Sequence, residues 1–588
     1  MAKWMVAAKK ADFETWAREL NISPITARLI RNRGIVSIEE ARDYLYEPAK
    51  GRDPLLLPDA KKAVALLLQA KEEGMHVRII GDYDVDGICS SHILKTGLQF
   101  AGIKASVRLP ERVKDGYGLN KALIDEALND GCGMILTCDN GIAALDEVAY
   151  AREKGLYVIV TDHHEVARDE AGRDVLPAAH AVVDVKRADS QYGFDGICGA
   201  LVAYRLLECL YAEPAVCPAA PDPQKEVEQV LTELLPFAAI ATVCDVMQLI
   251  DENRHIVKRG LKEIAACHNK GLHALIHVTG LEEKAITAYH AGFVLGPCLN
   301  ASGRLDTAVR ALSLFEAGDE AEAVRIATDL KALNDSRKEM TLNATKQAVD
   351  MIRALQEQDA LPKIIVAYLP NCHESIAGIV AGRVRETFHR PAIILTDAMT
   401  TEGAEPLVKG SGRSVPCYDM YEGLSKCADL FLKFGGHKAA AGMTLQKNNL
   451  EMLQNRLNAM TSLTEEDLEE VLHIDIALPL NVLTTDLVKE WEALAPFGNG
   501  NATPLFATRA VRILSGRRIG RDAQYGKFTV MDETGARAEL MCFLDPAPLI
   551  TIMEETPEAR IHIAYEAQLN SFRGEESVQL VLKDMQPA

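Results

Sequence analysis

The sequence predicts an α/β protein of several domains, built around a doubly wound parallel sheet. Three observations support this class. The chain has 588 residues, several times the size of an ordinary domain. Apolar runs separated by helical segments recur at spacings of roughly 25 to 30 residues, as βαβ units require. Beyond residue 463 the pattern changes to short alternating strands divided by turn residues, which is typical of a small barrel.

The first 315 residues predict a helical extension followed by the main sheet. Residues 1–52 are charged and helix-prone, so we expect an N-terminal helical extension. Residues 53–315 form the expected α/β domain, whose strands are HVRII (76–80), ASVRLP (105–110), GMILT (133–137), YVIVT (157–161) and AAHAVVD (178–184). Uninterrupted apolar runs of this kind indicate strands that are covered on both faces.

Three further segments complete the predicted architecture. Residues 321–358 keep a helical period without an internal Pro or Gly, which predicts a long connecting helix over residues 316–358. Residues 359–462 contain the apolar strand RPAIILTD and a glycine-rich stretch at 410–442, so we expect a second, smaller α/β domain. Residues 463–588 contain five alternating runs and predict a C-terminal OB-type β-barrel.

Composition excludes several classes of protein. The 64 basic and 84 acidic residues give a net charge of −20, which argues against coating nucleic acid by bulk charge. The 13 cysteines never form a C-x-x-C pair, so neither a zinc ribbon nor a thioredoxin-like motif is indicated. No run of 18 apolar residues and no signal-peptide pattern occurs, so we expect a cytoplasmic protein without a membrane partner.

Polar loops follow three of the predicted strands. They are GDYDVDG (81–87), CDNG (138–141) and DHHE (162–165). Because the carboxyl ends of parallel strands share one edge of the sheet, these loops should meet in one crevice. That crevice would collect Asp82, Asp84, Asp86, Asp139, Asp162, His163 and His164. Carboxylates at this density repel one another unless a divalent cation is bound, and an imidazole ligand favours Mn²⁺ over Ca²⁺.

Two of these loops, and one later aspartate, also have alternative interpretations. The D-x-D-x-D-G string resembles the start of a calcium loop, but the twelfth position is Ile93 instead of Glu and a strand precedes it. A His-His pair is often a hydrogen-bonded turn. Asp245, in the apolar segment ATVCDVMQL, is either a further metal ligand or a helix cap or buried ion pair.

The motifs GDYDVDG, TCDNG, TDHHE and ATVCDV resemble the four successive motifs of the DHH phosphoesterase superfamily. The later segments PERVKDGYGLN, GPCLNASGRLD, GIVAGRV, GSGRS, KFGGHKAAAG and LAPFGNGNATPLF, in this order, resemble the RecJ single-stranded-DNA exonucleases. The resemblance extends from about residue 50 to the C-terminus. It implies a metal-dependent 5′-to-3′ exonuclease that hydrolyses single-stranded DNA to nucleotides in recombination and repair.

The resemblance also implies the composition of the site. Two Mn²⁺ or Mg²⁺ ions would be held by Asp84, Asp86, Asp139, His163 and Asp245. Asp82 and His164 would bind a metal, orient its ligands or contact phosphate, and Asp162 would orient a histidine. A water acidified by the metals would attack phosphorus in line.

Substrate contacts are implied by the later motifs. The expected residues are Arg112, Tyr117, Asn300, Arg304, His373, Arg383, Arg413, Gly435, Gly436 and His437. Arginine suits a bidentate grip on a terminal phosphate, and glycines let backbone amides approach an anion. Two positions depart from the family pattern, because Gly382 replaces a serine and Cys372 replaces a tryptophan.

The C-terminal region contains a local basic patch with aromatic residues. It comprises Arg509, Arg512, Arg517, Arg518, Arg521 and Lys527, near Tyr525 and Phe528. Stacking combined with backbone charge is how OB-type barrels hold single strands. The alternative is a solvated β-hairpin.

Two other functions are alternatives to the exonuclease. A short-oligonucleotide or cyclic-dinucleotide phosphodiesterase of the superfamily would share the chemistry, but it would lack the barrel. A catalytically inactive replication-complex scaffold would have lost the metal ligands, which are intact here. For the exonuclease, the expected partners are single-stranded DNA with a 5′ end, a helicase and a single-strand-binding protein, and the chain is expected to be a monomer.

Overall fold

The computed structural model describes residues 2–46, 51–111, 116, 118–216, 222–358, 360–398, 405–572 and 574–588. These residues form two compact units. One unit comprises residues 4–303, 307–328 and 472–588, and we call it the sheet–barrel unit. The other, called the second unit, comprises residues up to 3, 304–306 and 329–471.

The N-terminal region is helical after one short strand, as expected. Its elements are β1 (Lys3–Val6), α1 (Phe13–Leu20), α2 (Pro24–Asn32) and α3 (Ile38–Leu45). Each helix starts at a side-chain cap, because Asp12, Ser23 and Ser37 accept hydrogen bonds from backbone N–H groups three residues later. The apolar faces of the three helices are buried.

The predicted parallel sheet is present and all five of its strands are found. Its elements are α4 (Ala60–Glu72), β2 (Val77–Ile80), α5 (Val85–Phe100), β3 (Ala105–Arg108), α6 (Lys121–Asn129), β4 (Met134–Cys138), α7 (Leu145–Glu153), β5 (Tyr157–Asp162), β6 (Ala181–Asp184) and α8 (Gly199–Tyr211). The strand order is β3-β2-β4-β5-β6, and every neighbouring pair is parallel. The carboxyl ends of β2, β4 and β5 are therefore adjacent.

Helices cover both faces of this sheet. On one face Leu123 of α6 and Val148 of α7 pack with Ile135 and Val160 of the strands. On the other face α5 and α8 pack against each other and against β2, β4 and β5. Strands buried on both sides explain why the sequence shows continuous apolar runs instead of alternation.

A helical segment follows the sheet. It comprises α9 (Pro223–Cys244), α10 (Asp251–Glu263), α11 (Lys270–Val278), α12 (Ala288–His290), a π-helical turn at Ala291–Leu295, α13 (Gly296–Leu305), α14 (Val309–Phe315) and the 38-residue α15 (Glu320–Glu357). The position of α15 agrees with the predicted connecting helix. In the described residues α9 alone is long and apolar enough to cross a membrane by length and composition, and half of its most apolar window is buried within the protein.

The second unit contains a five-stranded sheet. Its elements are β7 (Ile365–Tyr368), α16 (Ala377–Phe388), β8 (Ala392–Asp397), β9 (Leu407–Arg413), α17 (Met420–Ser425), β10 (Phe431–His437), β11 (Ala440–Gln446) and α18 (Leu450–Met460). The strand order is β10-β11-β9-β8-β7. The glycine-rich segments are therefore strands, and Gly435 and Gly436 lie on the edge strand, paired with Gly442 and Ala441.

The C-terminal region is a closed barrel, as predicted. Its elements are β12 (Val471–Ile474), β13 (Ile476–Ala477), α19 (Thr485–Trp491), β14 (Phe506–Ile519), β15 (Tyr525–Met531), β16 (Arg537–Cys542), α20 (Ala547–Glu555), β17 (Ile561–Phe572) and β18 (Glu575–Pro587). Strands β14, β15, β16, β18 and β17 pair in this order, and β17 pairs back to β14. Closure removes the exposed sheet edges that a five-stranded sheet would otherwise present.

The barrel shares its hydrophobic core with the N-terminal helices. Trp16 and Leu29 belong to one continuous cluster of buried side chains with Trp491, Phe506 and Phe528. Removing the barrel would expose the apolar faces of α1 to α3, because the same side chains cover both elements. The role of the barrel is therefore best tested by point substitutions instead of truncation.

Candidate metal centre

The first polar loop joins β2 to α5 and contains three aspartates. Asp84 caps α5, since its Oδ1 accepts hydrogen bonds from the N–H groups of Asp86 (3.0 Å) and Gly87 (3.2 Å). Gly87 allows the loop to fold tightly, because a Cβ atom there would lie 2.4 Å from the backbone nitrogen of Asp82. The loop thus directs Asp82, Asp84 and Asp86 to the carboxyl edge of the sheet.

Asp86 is held by the N-terminus of a second helix. Its Oδ2 and Oδ1 accept hydrogen bonds from the backbone N–H groups of Gly199 (2.7 Å) and Ala200 (2.8 Å), at the start of α8. The positive end of a helix dipole stabilises a carboxylate in this position. Sequence analysis missed this contribution, although a glycine at the start of an apolar helix was a possible signal.

Asp139 follows β4 in a left-handed conformation. Its φ is 59°, and Gly141 in the same loop has a φ of 114°. Asp adopts this region more readily than most residues do, which lets the chain turn sharply and place the carboxylate over the end of the strand. The side chain is buried, with Gly199 packed directly against it.

His163 lies among three carboxylates. Its Nε2 is 3.1 Å from Asp139 Oδ1, 3.5 Å from Asp86 Oδ2 and 3.6 Å from Asp245 Oδ2. These groups come from the ends of β4 and β5 and from the first turn of α5, together with the C-terminal end of α9. The structure therefore brings together Asp86, Asp139 and His163, which the sequence placed in one crevice, and the further candidate ligand Asp245 lies with them.

Asp162 orients the neighbouring histidine. Its Oδ1 accepts from the backbone N–H of His163 (2.8 Å) and lies 2.7 Å from His164 Nδ1, while its Oδ2 accepts from Ile142 N–H (2.9 Å). His164 is half-exposed at the rim of the cluster, with 46% of its side chain accessible. The structure thus places Asp162 on His164, with its other bonds to backbone amides.

The electrostatics of the cluster reflect buried, mutually repelling carboxylates. Burial raises the pKa of Asp86 and raises that of Asp139 well above its usual range, with further increases from the neighbouring aspartates. Burial, reinforced by Asp86 and Asp84, raises the pKa of Asp245 to about 8. Burial opposes protonation of His164, but the hydrogen bond and charge of Asp162 outweigh it and raise the pKa to about 9.

The donor atoms fit divalent cations. Three overlapping groups each have ligand atoms within 4.8 Å of one another, namely Asp82/Asp84/Asp139, Asp86/His163/Asp245 and Asp139/His163/His164. Among the described residues, the buried Oδ2 of Asp245 accepts no hydrogen bond, as expected of an oxygen available to a cation. Carboxylate oxygens with one imidazole are donors that Mn²⁺ and Mg²⁺ accept.

The raised pKa of Asp245 predicts a pH-dependent stability of the metal-free protein. In the unfolded chain, Asp245 loses its proton near its ordinary pKa of 3.8. In the folded state, it keeps the proton up to about pH 8. The folded state is therefore progressively disfavoured as the pH rises from about 4 to about 8. With a chelator present, Asp245→Asn should be more stable than the parent at pH 8 and close to it near pH 4, as measured by thermal unfolding. A stability difference independent of pH would contradict this.

The expected substrate residues are divided between the two compact units. Asn300 lies in α13 in the sheet–barrel unit. The second unit contains Arg304, His373, Arg383, Arg413, Gly435, Gly436 and His437. Arg112 and Tyr117 lie outside the described residues.

Three of these residues lie around the start of α16. The Nη1 of Arg304 donates to the carbonyl of Ser375 (2.7 Å), and His373 Nδ1 lies 2.7 Å from the hydroxyl of the same serine. Gly378, in the first turn of α16, leaves room for Arg413, because a Cβ there would lie 2.6 Å from the guanidinium Nη2. Two guanidinium groups and one imidazole thus lie around the positive end of a helix dipole.

The barrel patch differs in part from the prediction. Phe528 is 1% exposed and belongs to the barrel core, so it was wrongly included among the stacking residues. Alternation along β15 places it inside while Tyr525 faces outwards. Phe543, which sequence analysis missed, is 50% exposed and contacts Tyr525 edge-on at 5.3 Å. Arg512 is paired with Glu558 and Lys527 with Glu539, whereas Arg517, Arg518 and Arg521 are exposed.

A second exposed aromatic pair lies at the π-helical turn that precedes α13. Tyr289 and Phe293 stack at 5.2 Å and are 64% and 68% exposed. The π-helical turn that contains Phe293 packs on the end of α9, since Cys244 Sγ contacts the carbonyl of Ala291 at 3.5 Å. Sequence analysis missed this pair, because one tyrosine and one phenylalanine in a helix normally indicate core.

Comparisons with known proteins agree with this architecture. The model of the DHH family, N-terminal domain, matches residues 76–276, that of the DHHA1 domain matches residues 361–463, and that of the RecJ OB domain matches residues 474–584. The chain is 32% identical to the single-stranded-DNA-specific exonuclease RecJ of Bacillus subtilis, covering 99% of this chain and 70% of that protein. It is 31% identical to the RecJ exonuclease of Salmonella typhimurium, covering 98% of each.

Solved structures of RecJ exonucleases are also similar to this chain. The structure of RecJ from Thermus thermophilus in complex with Mn²⁺ matches with a TM-score of 0.79 and 26% identity, covering all of this chain and 80% of that one. The Mg²⁺ complex of the same protein gives 0.76 and 25%, covering all of this chain and 78% of that one. A structure of exonuclease RecJ bound to manganese gives 0.56 and 32%, covering 68% of this chain and 94% of that one.

Proposed function

Because the chain belongs to the RecJ family of single-stranded-DNA-specific exonucleases, we infer that it hydrolyses single-stranded DNA with Mn²⁺ or Mg²⁺ as cofactor. The observation that supports this most directly is the cluster of Asp86, Asp139, His163 and Asp245 at the carboxyl edge of the parallel sheet. We propose that digestion runs from the 5′ end to nucleotides and serves recombination and repair.

We propose that Asp84, Asp86, Asp139, His163 and Asp245 hold two cations, with Asp82 beside them. In that position, two divalent cations would supply positive charge next to the phosphodiester oxygens and would lower the pKa of a bound water. The chain contributes the geometry, since α8 fixes Asp86 through two N–H groups. We propose that His164 donates a hydrogen bond to a phosphate oxygen, which its contact with Asp162 and its half-exposed side chain support.

We propose that the start of α16 binds the 5′-terminal phosphate. Arg304, His373 and Arg413 surround a helix N-terminus there, and Arg383 is exposed further along the same helix. A terminal phosphate has more charge than an internal diester and presents three oxygens to guanidinium donors. Arg112, Tyr117, Asn300 and the edge-strand residues Gly435, Gly436 and His437 remain proposed contacts to the strand.

Arg304→Ala should reduce the preference for a 5′-phosphate. Losing one charge-assisted contact costs on the order of 1.5–3 kcal/mol, or roughly 10- to 150-fold in kcat/KM on a 5′-phosphorylated strand, with a smaller loss on a 5′-hydroxyl strand. Steady-state rates on the two substrates measure the effect. Arg385→Ala, which removes an arginine paired with Glu386 on the same helix, is the matched control. An unchanged ratio of the two rates in Arg304→Ala would contradict the assignment.

We propose that two aromatic surfaces hold the single strand. On the barrel, Tyr525 lies in the hairpin that contains Arg517 and Arg518, and Phe543 contacts it. At the π-helical turn that packs on the end of α9, Tyr289 and Phe293 offer a stacked and exposed ring pair. Unpaired bases can stack on such rings whereas bases within a duplex cannot, so the rings favour single strands without reading sequence.

We also propose the finer organisation of the protein. The domain boundaries are 1–52, 53–315, 316–358, 359–462 and 463–588, and the spans matched by the three family models support the second, fourth and fifth. From the family resemblance we propose a cytoplasmic monomer that acts with a helicase and a single-strand-binding protein.

The function is tested by substrate comparison. With Mn²⁺, the protein should release mononucleotides from long single strands much faster than it cleaves a cyclic dinucleotide or a blunt duplex of the same sequence. Faster hydrolysis of the cyclic dinucleotide would favour a short-oligonucleotide phosphodiesterase. Absence of any hydrolysis, with metal bound, would favour a scaffold.

A further inference from the structure

The loop Phe497–Asn501, which leads into the barrel, contacts the segment that follows Asp245. The side-chain amide of Asn499 donates to the carbonyl of Val246 at 2.7 Å. In return, the backbone carbonyl of Asn499 accepts from Leu249 N–H at 2.7 Å. One asparagine therefore makes hydrogen bonds to residues one and four positions after Asp245.

The segment needs support at this point. Val246 has a φ of 57°, in the left-handed region. For a β-branched residue this conformation is a true outlier that costs on the order of 1–3 kcal/mol and persists only where neighbouring contacts enforce it. The side chain of Val246 is 65% exposed, so core packing does not enforce it. Two backbone hydrogen bonds at the end of α9 enforce it, from Val246 N–H to the carbonyl of Val243 (3.2 Å) and from Met247 N–H to the carbonyl of Thr242 (3.1 Å). The hydrogen bond from Asn499 to the Val246 carbonyl is the contact that reaches this turn from outside the helix.

The loop that provides Asn499 is itself fixed. Gly498 and Asn501 form a two-residue bridge, with backbone hydrogen bonds of 2.9 and 3.2 Å. Asn501 is 1% exposed; its amide donates to the carbonyls of Leu494 and Pro496 at 2.8 and 2.7 Å. The loop also fits closely, since a Cβ on Gly498 would lie 2.8 Å from Leu249 Cδ1. Asn499 is thus presented on a rigid support.

A second set of hydrogen bonds fixes the other end of the segment that follows Asp245, where α10 begins. Arg254, in the first turns of α10, is 1% exposed and donates to the carbonyls of Leu494 (2.8 Å) and Ala493 (3.0 Å). The chain between Asp245 and α10 is therefore attached to residues 493–501 at both of its ends.

We propose that Asn499 is a positioning residue of the metal centre. It holds Val246 in the left-handed conformation and thereby directs the Asp245 carboxylate towards Asp86 and His163. The sequence LAPFGNGNATPLF, which the metal chemistry leaves without a role, thus belongs to the support of the metal centre. This inference rests on the proposed metal site. Groups that orient a ligand from outside the coordination sphere typically change metal affinity by about 10- to 100-fold.

The test measures Mn²⁺ binding directly, by the electron paramagnetic resonance signal of free Mn²⁺ during titration of the full chain. Asn499→Ala should weaken Mn²⁺ affinity by roughly 10- to 100-fold. The loss should shrink severalfold when Val246→Gly is present, because glycine adopts a positive φ without the steric cost. Asn499→Leu, which keeps the side-chain size and lacks the donor, should show the same loss of affinity. It replaces Asn499→Ala in the test if that variant folds poorly.

Asn449→Ala is the matched control, since it removes an amide-to-carbonyl bond to Leu430 in the second unit. It should leave Mn²⁺ affinity unchanged. Parent-like affinity in both Asn499 variants would overturn the inference, and so would an equal loss with and without Val246→Gly. If the parent itself bound no Mn²⁺, the proposed function would fail first, so the two failures are distinguishable.

Discussion

Asp139→Ala is expected to reduce hydrolysis of single-stranded DNA by at least about a thousandfold, because residues that act as one catalytic unit show losses of this size or larger. Asp139 is shared by two of the three candidate ligand groups and lies 3.1 Å from His163 Nε2. Rates at saturating Mn²⁺ measure the effect, and circular dichroism establishes that the variant is folded.

Asp146→Ala is the matched control for this substitution. Asp146 is exposed in the first turn of α7, just after the loop that contains Asp139, and lies outside the three ligand groups. It should keep the parent's rate. Near-parent activity of Asp139→Ala at saturating Mn²⁺ would remove the proposed metal centre.

Gly199→Ala is expected to have the second largest effect, although it adds one methyl group and removes no functional group. That methyl carbon would lie 2.8 Å from Asp139 Cβ and 3.0 Å from Asp139 Cα. Asp139 cannot move away from the added methyl group, because it is buried and its Cα belongs to the backbone of a tight loop. The substitution should displace Asp139, disturb the N–H groups that hold Asp86, and weaken Mn²⁺ binding by roughly 10- to 100-fold.

Gly382→Ala provides a matched control in another helix. A Cβ at Gly382 meets no atom within 4 Å. Alanine in a helix interior is favoured over glycine by roughly 0.5–1 kcal/mol, so this variant should be slightly more stable and bind Mn²⁺ like the parent. If Gly199→Ala also binds Mn²⁺ like the parent, the packing of α8 against the metal centre is less restrictive than the distances imply.

The parallel sheet and the barrel were predictable because their strands have clear sequence signatures. The strands of the sheet are covered on both faces and read as continuous apolar runs, while those of the barrel alternate. The grouping of Asp86, Asp139 and His163 followed from one rule, that the ends of parallel strands share an edge. The closeness of these three side chains was therefore predictable from the sequence.

Other parts of the site depend on contacts between distant segments, which have no local signature. The N–H groups of Gly199 and Ala200 that hold Asp86 come from a helix more than a hundred residues later. Asn499 reaches Val246 over 253 positions. Alternation predicted that β15 is a strand but did not decide which face is buried, so Phe528 was misassigned to the surface.

Digestion of one single strand, labelled at either its 5′ or its 3′ end, with Mn²⁺ or with a chelator, tests the direction and the metal dependence of hydrolysis together. In the presence of Mn²⁺ only, the 5′ label should appear as a mononucleotide at the earliest times and the 3′ label last. Early release of the 3′ label, or hydrolysis that continues in the chelator, would contradict a metal-dependent 5′-to-3′ exonuclease.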